Sequence, residues 1–271
     1  MPVTEFSTSQ PRIALLIDAD NAPAELIDEI LTELSTLGVI NIRRAYGNWT
    51  KAALQGWQTR LLDFAIRPMQ QFDYSKRKNA SDMAMTVDAM ELLYTERPDA
   101  FGIVSSDADF TPLVMHLRAK GAAVYGFGAA QTPLPFVNAC SRFLYLEALA
   151  EAHAADEAGA VSADTPGVRT AERASAPAPA HRVRVPTSKL RQDTALMNLL
   201  RDAVHAVADE AGWARVGAVG TQISNKASFN PRNYGYATLS KLLAATEAFE
   251  WRDEGTSRVS VRDRRADQAR A

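Results

Sequence analysis

Cysteine is nearly absent from this 271-residue chain. Cys140 stands alone, which excludes an internal disulfide and any multi-cysteine metal site. Histidine is almost as scarce: four scattered copies offer no cluster of imidazole ligands. No apolar run approaches membrane-spanning length, and the opening residues MPVTEFSTSQPR contain no apolar leader core. The expectation is a cytoplasmic protein with no membrane attachment. A strong charge of either sign is also lacking, since the formal net charge is −2. That charge is unevenly spread. Residues 1–150 carry 13 Lys/Arg against 17 Asp/Glu, a net −4, and residues 188–271 carry 13 against 10, a net +3. The first region is therefore no obvious polyanion-binding surface, whereas the last mildly is.

What is present is an ordinary globular composition, 46% hydrophobic and 23% charged, long enough for one sizeable domain and a small one. Residues 12–150 alternate β-rich runs with helical stretches. The runs RIALLID (12–18), VINIRRAY (39–46), FAIRPM (64–69), FGIVSS (101–106), AAVYGFG (122–128) and FLYLE (143–147) read as strands. Pro68 places the third near a sheet edge. Helices are expected over 23–38, 51–62, 80–96, 110–121 and near 133–140. In the 80–96 helix, Met83, Val87, Met90 and Tyr94 form an apolar stripe and are assigned to the core. Asp88, Glu91 and Glu96 are assigned to solvent. Strands alternating with helices imply an α/β fold, a mostly parallel sheet covered on both faces.

From 151 to 187 the chain is rich in Ala, Pro and Ser, with few large apolar residues, and reads as a flexible linker. Residues 188–263 regain a core. Helical patterns over 195–212, 216–226 and 236–248 precede FEWRD and RVSVRD, a β-ribbon turning at Glu254–Gly255. Three helices followed by a hairpin is the order of a small winged-helix domain. Residues 264–271 read as a frayed tail.

The chemistry concentrates in aspartates at strand ends. ALLIDADN supplies Asp18 and Asp20, and GIVSSDADF supplies Asp107 and Asp109. Parallel strands bring such endings to one rim, where ligands of open α/β sheets bind. Asp82, in the first turn of its helix, joins them if that turn faces the rim. Asp20 is expected to point away, because adjacent strand positions alternate faces. Converging carboxylates resist joint ionisation unless a cation neutralises them. Oxygen-only ligands suit Mg²⁺ or Mn²⁺, and such an ion assists phosphodiester hydrolysis. The plainer reading of Asp109 and Asp82 is as helix caps.

The segments RIALLIDADNAP, AYGNWT, KNASDMAMTVDAMELLY, GIVSSDADFTPLVMHLRAKGAAVYGFG and PFVNACSRFLYLE resemble the NYN domain family of the PIN-like nuclease superfamily. The resemblance runs through residues 11–148 in motif order, giving a domain over 11–150. It implies a PIN-like three-layer α/β/α fold and metal-dependent ribonuclease activity with Mg²⁺ or Mn²⁺. Carried over by position, Asp18 and Asp107 hold the metal most directly. Asp82 and Asp109 complete the shell or orient the attacking water. Asn21 and Ser106 bond to a phosphate oxygen or a water on the metal. Where the family often has serine in this last segment, the chain has Ala108, which loses a hydroxyl but no carboxylate.

Lys76, Arg77 and Lys78 precede Asp82 and are candidate grips on an RNA backbone. Tyr46 and Trp49 end a strand near the rim and could stack on unpaired bases of single-stranded RNA. Gly126 and Gly128 read as turn residues. FNPRNYGYATLSKLLAATEAFEW (229–251) resembles the LOTUS, or OST-HTH, domain, which implies RNA binding or protein partners; Arg232, Tyr234, Lys241 and Arg258 are its candidate contacts. PIN-like domains often pair, so a homodimer is a further implication. The alternative to a ribonuclease is a non-catalytic RNA-binding or regulatory scaffold with a vestigial acidic site.

Overall fold

The computed structural model describes residues 10–72, 79–150, 184–256 and 258–265. The candidate cations Lys76, Arg77 and Lys78 lie outside the described residues. The chain divides into two compact units between residues 146 and 147.

The first unit is a six-stranded, wholly parallel sheet. Its strands are β1 (Arg12–Asp18), β2 (Val39–Gly47), β3 (Arg67–Gln70), β4 (Ala100–Val104), β5 (Ala123–Gly128) and β6 (Arg142–Tyr145). Helices α1 (Ile27–Ser35), α2 (Trp57–Asp63), α3 (Ala80–Thr95), α4 (Thr111–Ala119) and α5 (Leu134–Ala139) connect them. The strand order is β3-β2-β1-β4-β5-β6. The chain therefore winds outward from β1 to the edge strand β3, which carries Pro68, and crosses back to lay β4 beside β1.

Strand pleating sorts the core into two layers. Ala14, Leu16, Phe101, Ile103 and Val124 point to one face and pack with Met85, Ala89 and Leu92 of α3 and Leu113, Val114 and Leu117 of α4. On the other face Leu34 of α1 and Leu15 crowd Gly102, where a Cβ would lie 2.9 Å from Leu34 and 3.1 Å from Leu15. The sheet is thus covered on both faces, and its central strands, β1 over Ile13–Ile17 and β4, are apolar throughout rather than alternating. Gly126 and Gly128 lie inside β5, not in a turn. A Cβ at Gly128 would sit 2.7 Å from the Ser105 carbonyl oxygen, so the bare backbone lets β5 run close beside the loop after β4.

The α3 stripe assigned to the core is the reverse of the observed arrangement. Met83, Val87 and Tyr94 are 67%, 65% and 53% exposed and Met90 is half-buried, whereas Ser81, Met85, Asp88, Ala89, Leu92 and Leu93 face inward. Asp88, assigned to solvent, is 8% exposed. Arg44 donates to its Oδ1 and the Tyr46 hydroxyl to its Oδ2. A carboxylate with that pairing is admissible on the buried face.

The second unit comprises α6 (Thr187–Gln192), α7 (Thr194–Ala206), α8 (Val216–Lys226) and α9 (Leu239–Thr246), with the antiparallel strands β7 (Ala214–Arg215), β8 (Phe249–Arg252) and β9 (Ser260–Asp263) in the order β7-β9-β8. The expected ribbon gains the short third strand β7. α8 forms despite Gly217 and Gly220 because Val216, Val219 and Ile223 bury one face. Val185, inside the expected linker, packs against this core and accepts a 3.0 Å hydrogen bond from the Tyr236 hydroxyl. No helix among the described residues is long and apolar enough to cross a membrane.

Candidate active site

β1 and β4 are neighbours at the point where strand order reverses, and both end at the same rim. In open α/β sheets this switch point is where ligands bind. Asp18, the last residue of β1, is 1% exposed. Its Oδ2 accepts hydrogen bonds from Asn21 Nδ2 and Ser105 Oγ, each at 2.9 Å. Its Oδ1 is buried and has no hydrogen-bond partner. Burial pushes the Asp18 pKa up; the Asn21 and Ser105 hydrogen bonds oppose this, and the charges of Asp20 and Asp107 add to it.

Four further carboxylates surround this position. Asp20 does not point away: Ser81 Oγ donates to it at 2.8 Å and Lys51 Nζ lies 3.2 Å from its Oδ1. Strand alternation fails here because β1 ends at Asp18 and a turn carries Asp20 back over the rim. Asp82, half-buried in the first turn of α3, has its pKa pushed up to about 6. Burial is the main cause, followed by the charges of Asp18, Asp107, Asp20 and Asp109. All five acids therefore share one electrostatic environment. Asp82 caps nothing, since no side chain caps α3. The capping carboxylate is Asp107, which accepts from the Asp109 amide at 2.8 Å and leaves Asp109 exposed.

Ser106 ties the loop to β5 by accepting from the Ala129 amide at 2.8 Å. Its neighbour Ser105, 2% exposed, makes the closer contribution. It donates to Asp18 while accepting from the Asp107 amide at 3.1 Å, linking the two strand ends. Sequence reasoning passed over Ser105; strand parity in GIVSS, which sets it on the opposite face from Val104, was the available signal. The Cys140 thiol is no rival nucleophile, since burial pushes its pKa up to about 12.

Among the described residues, no three His, Cys, Asp or Glu side chains form a group that could hold a metal ion. Asp18, Asp20 and Asp107 are each drawn toward protein donors of their own. The donor set nonetheless fits Mg²⁺ or Mn²⁺. The ligands are all oxygens, a buried anionic oxygen lacks a partner, and Mg²⁺ keeps several waters while using only one or two carboxylates directly.

The expected base-stacking aromatics fare differently. Tyr46 is fully buried and its hydroxyl is committed to Asp88, so its ring offers no face to RNA. Trp49 is half-buried, with its indole nitrogen enclosed; its backbone amide is held by Gln70 Oε1 at 3.1 Å. In the second unit, Tyr234 packs against Phe229 with ring centroids 5.9 Å apart, and Arg232 is half-buried. Exposed Lys241 lines a hollow with Trp251 and Thr256. Exposed Arg258 lines a separate one with Trp213, Arg215 and Arg252. The last three were not singled out from sequence; they lie together only because β7 pairs with β9 beside β8.

Residues 12–147 match the NYN domain model and residues 189–261 match the OST-HTH/LOTUS domain model. An uncharacterized protein of Methanocaldococcus jannaschii is 34% identical over 122 residues, covering 44% of this chain and 48% of that one. The match thus spans about half the length of that curated relative. A solved structure of a protein of unknown function from Vibrio parahaemolyticus overlaps 51% of this chain and 94% of its own, at 20% identity and a TM-score of 0.41. With its acidic rim at the switch point of a parallel, PIN-like α/β/α sheet, and with the domain model matched across half its length, this protein belongs to the NYN domain family and carries an OST-HTH/LOTUS domain after it.

Proposed function

We propose that this protein is a ribonuclease that depends on Mg²⁺ or Mn²⁺, with the second unit engaging the RNA. The observation that carries this reading is the Asp18 oxygen left without a partner, buried at the rim among four other acids. When bound, the ion supplies electrophilic stabilisation of a phosphate and a more acidic water. Asp18 and Asp107 would hold it, and Asp82 and Asp109 would complete the shell or orient the attacking water. Asn21 and Ser105 occupy Asp18 Oδ2, which fixes the carboxylate plane and leaves Oδ1 for the ion. Lys51, already drawn to Asp20, lends positive charge near the place an anionic RNA backbone must enter. Lys76, Arg77 and Lys78 are proposed to add to it. The hollow of Arg215, Arg252 and Arg258, which also carries Asp209 and Asp253, offers cations to a phosphate backbone, while the Trp213 ring is engaged by Arg262 at 5.0 Å.

A non-catalytic RNA-binding scaffold is favoured by one observation: among the described residues the acids are not gathered into a metal-holding group. Labelled single-stranded RNA incubated in Mn²⁺, with and without EDTA, separates the two readings. Cleavage by the intact chain that EDTA abolishes is expected. Asp107→Asn loses cleavage by on the order of 10³-fold while RNA binding persists. RNA binding without any cleavage supports the scaffold, and equal loss of binding and cleavage in Asp107→Asn counts against the catalytic reading. A chain ending at residue 150 is expected to cleave with weaker RNA capture.

A further inference from the structure

Tyr46 is closed to RNA and Trp49 is half-buried, yet the rim carries an open aromatic ring. Phe72 is 54% exposed, whereas Phe101, Phe110, Phe127, Phe136 and Phe143 of the same unit are at most 2% exposed. Its place in the sheet ties it to the acids. All six strands are parallel, so the residues after β3 emerge at the same end as Asp18 and Asp107. The Gln71 amide, next to Phe72, donates to the Gly47 carbonyl at 3.0 Å. A Cβ at Gly47 would in turn lie 3.8 Å from Asp20 Oδ2. β3 is two strands from β1, a distance of about 10 Å. Exposed Tyr94 is no substitute, because it stands near the far end of α3, about 18 Å along the helix from Asp82.

The backbone that presents the ring is held. Gln70 Oε1 accepts from the Trp49 amide at 3.1 Å. Gln70 Nε2 donates to Asn48 Oδ1 at 3.1 Å and to the Gln71 carbonyl at 3.0 Å. A ring fixed in this way loses little freedom when a flat partner covers it. The strand ends beside it carry Asn48, Gln70 and Gln71, polar side chains that break up any apolar patch of the size a protein partner covers. One nucleobase, flat and polar at its edges, matches a lone ring so flanked. We propose that Phe72 is a base-stacking platform of the acidic rim. It covers an unpaired base a few nucleotides from the phosphate at Asp18 and thereby selects single-stranded RNA, since paired bases offer no free face. This rests on the ribonuclease reading of that rim.

Stopped-flow fluorescence of the full-length protein in Mn²⁺ tests the platform. The probe is single-stranded RNA carrying 2-aminopurine at successive positions, because stacking quenches its emission. Wild type quenches the label at a defined position before cleavage. Phe72→Ala loses that quench and raises KM about tenfold with kcat nearly unchanged, the mark of lost uniform binding. The exposure of Phe72 predicts an unchanged unfolding midpoint for this variant. Phe72→Trp restores quench and KM; Phe72→Leu, apolar but without a π face, does not. A wild type that quenches no label overturns the proposal. So does a quench that survives Phe72→Ala at every position, or one that Phe72→Leu restores as fully as Phe72→Trp. Cleavage accompanied by any of these results leaves the ribonuclease reading standing and removes only the platform. A quench that depends on Phe72 but is followed by no cleavage removes the ribonuclease reading and supports the platform.

Discussion

Asp88 and Asp18 are both buried in the first unit, but their surroundings treat the charge in opposite ways. Asp88 sits behind the rim with Arg44 on one oxygen and the Tyr46 hydroxyl on the other. The second unit repeats this solution: Asp263, 3% exposed, lies 3.2 Å from Arg201 and 3.6 Å from His205. Asp18 has two neutral donors on Oδ2, none on Oδ1, and the charges of Asp20 and Asp107 beside it. A closed charge network holds elements together. An open one costs stability and is kept for what it binds. That difference is what the proposed function expects between an aspartate that holds the fold and one that would hold a cation.

Breaking the closed network gives the largest effect. Asp88→Ala strands Arg44 in a half-buried position and is expected to cost about 3–5 kcal/mol, read as a lower midpoint in denaturant unfolding. Asp18→Asn is expected to do the opposite in metal-free buffer, holding or raising the midpoint by removing an unneutralised buried charge. A stable Asp88→Ala, or an Asp18→Asn that unfolds as easily, would erase the contrast.

The next effect in size is a pH dependence. Asp82 binds its proton more tightly folded than unfolded, with a pKa of about 6 against the ordinary 3.8. Its contribution to stability is therefore full below 3.8 and is lost as pH rises toward and through 6. Solvent screening of a half-exposed group limits the loss to about 1–2 kcal/mol. Metal-free unfolding midpoints of wild type minus Asp82→Asn should fall across that window, and saturating Mn²⁺ should flatten the fall. The smallest effect belongs to Ser105→Ala, which frees the Asp18 carboxylate to rotate. It should weaken Mn²⁺ binding about tenfold with little change in RNA affinity.

Much of this was legible in the sequence, and the failures share a cause. Apolar strands ending in aspartate, with helices between, are enough to place Asp18 and Asp107 on one rim. The edge position of β3 followed from Pro68. The α3 face was misread because helical periodicity reports an apolar stripe and not what covers it. The inward face carries Asp88, whose polarity disqualified it until Arg44 and Tyr46, more than forty residues earlier, were seen to meet it. Asp20 was misplaced for a related reason: it sits where the regular strand has ended, and period-two reasoning holds only while the strand continues. Trp213, Arg215 and Arg252 form one surface through a pairing of strands more than forty residues apart, which no local pattern reveals.

The central claim is that Asp18 Oδ1 is a seat for a divalent cation. Calorimetric titration of the metal-free, full-length protein with Mn²⁺ at pH 7.5 tests it without any substrate. Saturable binding that Asp18→Asn removes, and that Asp88→Asn leaves in place wherever that variant stays folded, is the expected result. Wild type that takes up no Mn²⁺, or Asp18→Asn that binds it as well as wild type, would contradict the claim.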